Sequence, residues 1–479
     1  MKINLNGKGG LYVHLVFETE NVTCDIFNHL KENKLYSAKL NELYVNTYEK
    51  AIFLGLGKKE EFTLDKARDA FFLLAKELMA KKITEVEMEI PKFDGLCVKK
   101  TASAIAEGLM QAEYKFDRFM SDKEEKVELT VNYISTADPS KHHKVQEGIN
   151  EAKILIDSIF ITRDLVNLPS NYIYPETLAK HAVDILSPLG VKVSVYDKKQ
   201  IEEMGLLSFL SVGKGSDNDP RLIVMEYNGD SQSDEKLGLV GKGITYDSGG
   251  YSLKPSDGMK TMFCDMGGAA TVIGSIRAIA QGKLKANVVG VVAACENAVS
   301  GHAYKPGDII GSLSGKSIEV DNTDAEGRLT LADAVYYTAS VMKATRIIDL
   351  ATLTGACLIA LGEVYTGSVT NNQMFFDEVK AASVEAGEKI WQLPIDPLFA
   401  KQNKSRVADI KNTGGRLAGT ITAGMFVGEF VNNLPWVHLD IAGTAFLSKP
   451  YSYLPEGATG IHVKTLYKLV EKTYSTCQL

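Results

Sequence analysis

The sequence predicts an α/β protein in two parts, a smaller N-terminal α/β unit and a larger α/β unit after it. Three observations carry this. The chain is 479 residues long, enough for two to four domains of roughly 150 residues each. Short apolar runs suited to strands alternate with segments whose apolar residues recur at helical spacing. A polar stretch over 135–144, STADPSKHHK, interrupts that pattern early in the chain and reads as a linker.

In the first unit, residues 11–17 and 51–56 are apolar runs of strand length, and 64–78 and 102–112 carry helical periodicity. His142 and His143 fall in the polar stretch and read as solvated loop residues rather than metal ligands. Residues 145–164 read as a long amphipathic helix that ends near Asn167-Leu168-Pro169. Beyond it, strands are expected at 221–227, 237–240, 286–294, 346–351 and 436–441. Helices are expected at 175–187, 269–281, 330–342 and 423–431. Such alternation implies a sheet covered by helices on both faces. No internal repeat of 20–50 residues is visible.

Composition removes several function classes. With 45% hydrophobic and 24% charged residues, the usage is that of an ordinary globular protein. The 53 Lys+Arg against 60 Asp+Glu give a formal charge of −7, which argues against a chain built to coat nucleic-acid phosphates. No apolar run reaches the ~18 residues of a membrane helix, and the start MKINLNG lacks the succession of a secretory signal. The cysteines (Cys24, Cys97, Cys264, Cys295, Cys357 and Cys477) are scattered without a C-x-x-C pair. That fits a reducing cytoplasm and speaks against a disulfide framework or a thiolate zinc site.

Two stretches concentrate chemistry. In 240–250, VGKGITYDSGG, the glycines follow an apolar strand and suit a loop wrapped around a ligand. It is no phosphate loop, because G-x-x-x-x-G-K-S/T needs Ser or Thr after the lysine and Lys242 precedes Gly243. In 320–329, VDNTDAEGRL, an extended backbone would project Asp324, Glu326 and Arg328 to one side. Neighbouring carboxylates repel unless a cation lies between them. Asp247, Asp265, Asp324 and Glu326 therefore read as an oxygen-rich site for hard or borderline divalent ions. Their four negative charges match two such ions, and a two-metal centre can activate water and stabilise charge on an attacked carbonyl.

VGKGITYDSGGYSLKPS at 240–256, DMGGAA at 265–270 and NTDAEGRL at 322–329 resemble the M17 leucyl aminopeptidases (cytosol aminopeptidases). The likeness continues through RDLVN at 163–167, DLATLTGA at 349–356, DIKN at 409–412 and DIAG at 440–443. It implies a small N-terminal α/β domain (1–140), a linker and connecting helix (141–165), and a catalytic α/β domain (166–479) with a central mixed sheet flanked by helices. It further implies two divalent ions, manganese or zinc, in a cytoplasmic homohexamer; hydropathy and charge, not the resemblance, speak against a membrane or nucleic-acid partner. Asp247 and Glu326 would bridge the ions, Asp324 would complete one shell, and Lys242, as a neutral amine, and Asp265 the other. Lys254 would donate to the scissile carbonyl oxygen. Arg328 would hold a bicarbonate acting as general base toward a water or hydroxide bridging the metals. No histidine lies in either stretch; His302 reads as a loop residue and His438 as a satisfied core histidine.

The substrates implied are peptides, cut after their first residue, with leucine and other apolar residues preferred. Met262 and Thr352, with Leu353 beside them, resemble positions lining the pocket for that residue. The alternative is a DNA-binding scaffold or regulatory protein with secondary peptidase activity, which the acidic balance weakens. Two positions depart from the family pattern: Phe263 stands where Lys or Arg is usual, and His462 where glycine is common.

Overall fold

The computed structural model describes residues 1–20, 22–91, 93 and 95–474. Cys477 lies outside the described residues; the other five cysteines are free thiols. The chain divides into two compact units, Met1–Asp157 with Pro450–Pro455, and Ser158–Lys449 with Glu456–Leu479.

The first unit is a six-stranded sheet in the order Lys2–Leu5, Thr130–Ser135, Glu85–Ile90, Leu11–Phe17, Ala51–Gly57, Leu43–Asn46. All neighbours are parallel except the last pair. Helices Leu64–Ala80 and Val98–Gln111 bury Phe71, Leu74, Ile105 and Leu109 with Val13, Ile52 and Leu54 of the strands. Phe27 of helix Asp25–Glu32 joins a separate core with Val16 and Phe53. The expected linker is largely helical instead. Asp138 caps the turn Pro139–Lys141 by accepting from Ser140 N, and the helix His142–Asn167 follows at once. His142 and His143 thus open a helix rather than lie in a loop, and His142 Nδ1 stands 3.1 Å from Asn6 Nδ2.

The second unit holds an eight-stranded mixed sheet. Its order is Ile390–Gln392, Thr366–Thr370, Trp436–Asp440, Arg346–Ala351, Leu237–Asp247, Asn287–Asn297, Arg221–Asn228, Lys192–Tyr196. Leu237–Asp247 runs mid-sheet, parallel to both neighbours. Side chains alternate along a strand, so positions three apart face opposite ways. At Gly238 the neighbour is Thr338 of helix Glu326–Ser340, and at Gly241 it is the start of helix Gly267–Gln281. The sheet is covered on both faces, as the alternation of elements implies.

Two expectations about the chemical stretches are corrected. The glycine-rich stretch is not a loop until Asp247: pairing with Arg346–Ala351 as far as Gly241, and with Asn287–Asn297 all the way, keeps it extended seven residues past Val240. Only Gly249 and Gly250, with φ of +84° and +63°, turn the chain in a left-handed conformation open to glycine. The helix expected from residue 330 starts at Glu326.

Candidate metal centre

A break in strand register aims the first two functional side chains. Lys242 pairs with Ala293 and Asp247 with Asn297, so five steps on one strand match four on its neighbour. The shift falls at Cys295/Glu296. One extra residue in a bulge reverses the alternation beyond it, and Lys242 and Asp247 come to share a face that a regular strand would deny them.

Asp265 ends the turn Met262–Cys264, just ahead of helix Gly267–Gln281. Glu326 is the first residue of its helix. Lys242 Nζ lies 2.7 Å from Asp265 Oδ2 and 2.8 Å from Glu326 Oε1, and it donates to the Thr352 carbonyl at 3.0 Å. Gly327 makes room for it, since a Cβ there would meet Lys242 Cε at 2.3 Å. Lys254 Nζ lies 2.9 Å from Asp247 Oδ2 and 2.5 Å from Asp324 Oδ1. Asp247, Asp265 and Glu326 each offer an oxygen within 4.8 Å of the others. Asp324, less buried, joins them through Lys254.

The charges set the electrostatics. Burial, then repulsion by Glu326, pushes Asp247 up to about 6 against the pull of Lys254 and Lys242. Burial also raises Asp265 and Asp324. Glu326 goes the other way: burial would raise it, but Lys242 and Lys254 together hold it below the usual range. Burial likewise opposes the charge on Lys242, yet Asp265 and Glu326 keep the amine protonated well above the ordinary lysine range. The neutral amine expected of a ligand belongs to a metal-bound state, in which the ion's charge takes the place of the proton. Lys254 is raised in the same manner, with Asp247 the chief counter-charge.

Does this donor set suit divalent cations? Four carboxylates share two ammonium groups, a surplus of two negative charges in a mostly buried space. Glu326 Oε2 is buried with no hydrogen-bond partner. Oxygen donors converging with surplus negative charge are what hard or borderline divalent ions require, and the set fits.

Arg328 does not project with Glu326 as an extended segment would have it. Both sit in the first turn of a helix, where residues two apart diverge by roughly 200°. Arg328 donates instead to the Asn412 carbonyl at 2.8 Å, while its buried Nε meets no partner. Burial lowers its pKa to about 10, opposed by Glu326 and Asp440. A buried guanidinium with an orphan donor suits a small anion such as bicarbonate.

Thr352 donates to Asp265 Oδ1 at 2.6 Å, and Leu353, half-buried, follows it. Met262 is half-buried on the turn ahead of Asp265. Phe263, in place of a cation, sets its ring edge-on to Phe446 at 5.8 Å between centroids. His302 lies exposed in a turn. His438 is only half satisfied: its Nδ1 is 2.6 Å from Asp349, but its buried Nε2 has no partner.

Several contributors escape a reading of spacing. Asn297 donates to Asp247 Oδ1 at 2.8 Å. Asn412 binds the backbone of Asp321, Asn322 and Ala325 through its side chain. Asp440 holds Leu353 N and the Thr354 hydroxyl, fixing the turn that carries Thr352. Asn412 and Asp440 lie in DIKN and DIAG, so a signal for them exists; Asn297 has none.

The model of the cytosol aminopeptidase family catalytic domain matches residues 160–467, and that of the family's N-terminal domain matches 34–123. A probable cytosol aminopeptidase of Treponema denticola is 52% identical over 477 residues, covering 98% of this chain and 100% of that protein. Among solved structures, the bottromycin maturation enzyme BotP in complex with Mn superposes with a TM-score of 0.88 at 29% identity, covering 98% of this chain and 100% of that one. A mutant of tomato leucine aminopeptidase gives 0.87 at 29% identity, covering 98% and 96%.

Proposed function

The chain belongs to the cytosol aminopeptidase family, peptidases and therefore hydrolases, and from that premise we propose a metal-dependent aminopeptidase that prefers leucine and other apolar first residues. The observation that carries the metal dependence is the convergence of Asp247, Asp265 and Glu326 within 4.8 Å. Lys242, Asp247, Asp265, Asp324 and Glu326 would hold two divalent ions, manganese or zinc, which supply Lewis-acid activation of water and of the scissile carbonyl. The complex of BotP with Mn supports manganese as the first ion to test.

The chain's own groups do the rest. Lys254, protonated and half-buried, donates to the carbonyl oxygen as charge develops on it, where a fixed donor stabilises the transition state more than the ground state. Arg328 would hold bicarbonate, whose chemistry is that of a general base. A separate base is needed because every carboxylate of the cluster is committed as a ligand. Met262, Thr352 and Leu353 would line the pocket for the first side chain, and Thr352 ties that pocket to Asp265. The catalytic part is assigned to 166–479. We assign the protein to the cytoplasm as a homohexamer; among the described residues no helix is long and apolar enough to cross a membrane.

Release of leucine from a leucyl anilide tests the reading. Lys254→Ala should lower kcat by about 10²–10³-fold, and Glu326→Ala should abolish turnover, both with the fold intact. Full activity in both variants would overturn it.

A further inference from the structure

Two segments far apart in sequence, 247–254 and 322–326, bring mutually repelling carboxylates together, and something other than those charges must hold them in register. We propose that Thr323, with Asn297, is a positioning clamp that fixes Asp247 and Lys254 relative to Asp324 and Glu326. The proposal rests on the metal-dependent reading above.

Thr323 is fully buried, and every polar atom it has is engaged. Its hydroxyl donates to the Gly249 carbonyl at 2.6 Å and accepts from Ser252 N at 2.8 Å. Its own N–H donates to the Ser252 hydroxyl at 3.2 Å. Its carbonyl accepts from Asn297 Nδ2 at 2.9 Å and from the Tyr304 hydroxyl at 2.9 Å. Thr323 is the residue next to Asp324, and Gly249 and Ser252 stand between Asp247 and Lys254. The bonds therefore cross the gap between the two charged segments.

Asn297 closes the arrangement. The same amide that holds the Thr323 carbonyl also donates to Asp247 Oδ1 at 2.8 Å, and Gly249 N donates to that oxygen at 2.9 Å. With Oδ1 occupied, Asp247 turns Oδ2 toward Lys254 and the cluster. All these bonds are neutral on the Thr323 side. They are accordingly indifferent to which cation balances the carboxylates, and they resist the spreading that like charges would drive. Partners behind a metal ligand of this kind govern its affinity by about 10- to 100-fold.

Thr323→Val keeps the shape and deletes the hydroxyl; Thr323→Ser keeps the hydroxyl. Manganese binding to the full-length protein, measured by titration calorimetry after stripping with chelator, should weaken about 10- to 100-fold in Thr323→Val and stay near wild type in Thr323→Ser. The manganese concentration for half-maximal leucyl anilide cleavage should rise by the same factor, with rate recovered at saturating metal. If Thr323→Val does not fold, Asn297→Ala should show the same weakening. Wild-type affinity in the variant measured, or a loss in Thr323→Ser equal to that in Thr323→Val, overturns the clamp and leaves the aminopeptidase reading standing. A wild-type protein that binds no manganese overturns the metal dependence and the clamp with it.

Discussion

Each unit buries a knot of acids and bases, and the two differ in their sums. In the first unit, among the described residues, two cations meet two buried acids. Arg68 Nε lies 2.8 Å from Glu107 and Lys99 Nζ lies 2.6 Å from Glu151, with the Ser103 hydroxyl between the two glutamates. Asp65 joins Arg68 from the exposed side. That knot ties helices Leu64–Ala80, Val98–Gln111 and His142–Asn167. In the second unit four carboxylates meet two lysines, and Glu326 Oε2 is left without a partner. Burial of charge alone does not mark a reactive site; a surplus of one sign, with an orphan atom, does.

Three measurements probe the contrast, in falling order of effect. Arg68→Ala strands Glu107 in the first knot and should cost about 3–5 kcal/mol of stability, equally with and without manganese in denaturant unfolding. A deficit that manganese repairs would break the distinction. Next, manganese at about 100 times its Kd should stabilise the wild-type protein by about 2.7 kcal/mol and leave Glu326→Ala unmoved. Equal stabilisation of both proteins would place the ion elsewhere.

The third uses His462, a buried polar group of a different sort, bonded to the Thr366 and Thr465 hydroxyls, with Glu388 3.8 Å from Nδ1. Burial pushes it down to about 3, against about 6.5 in the unfolded chain. The folded protein keeps it neutral, so unfolding takes up a proton below pH 6.5. Its contribution is whole above pH 6.5 and is lost as pH falls toward 3, about 2 kcal/mol by pH 5. His462→Asn accepts the left-handed backbone at φ +66° and should lose less stability than wild type between pH 7 and pH 5. Parallel pH profiles would remove His462 from the acid response.

What could be read in the sequence was the list of chemical groups; what could not was their aim. Lys242, Asp247, Asp265, Asp324 and Glu326 stand in short runs whose residue types declare themselves, and the expected helices and strands were legible to within about four residues, except the strand from Leu237, which runs seven residues further. Glu326 and Arg328 looked like neighbours on an extended face, because nothing in EGRL announces a helix that starts at the glutamate. Asn297 was invisible because its meaning comes from the strand beside it, where it pairs with Asp247. The left-handed backbone at His462, φ +66°, is a constraint that no spacing rule exposes.

The extra residue between Lys242 and Asp247 has a consequence for how this chain tolerates change. Substituting Ile244 or Thr245 alters packing, but the count of five steps is untouched and both charged groups still face inward. Removing one of the two residues closes the bulge, and the four regular steps left opposite 293–297 still keep the lysine and the aspartate on one face. In this strand the pairing with 293–297, rather than the count of residues, holds the two charged groups together, and losing the bulge should cost less activity than losing that register.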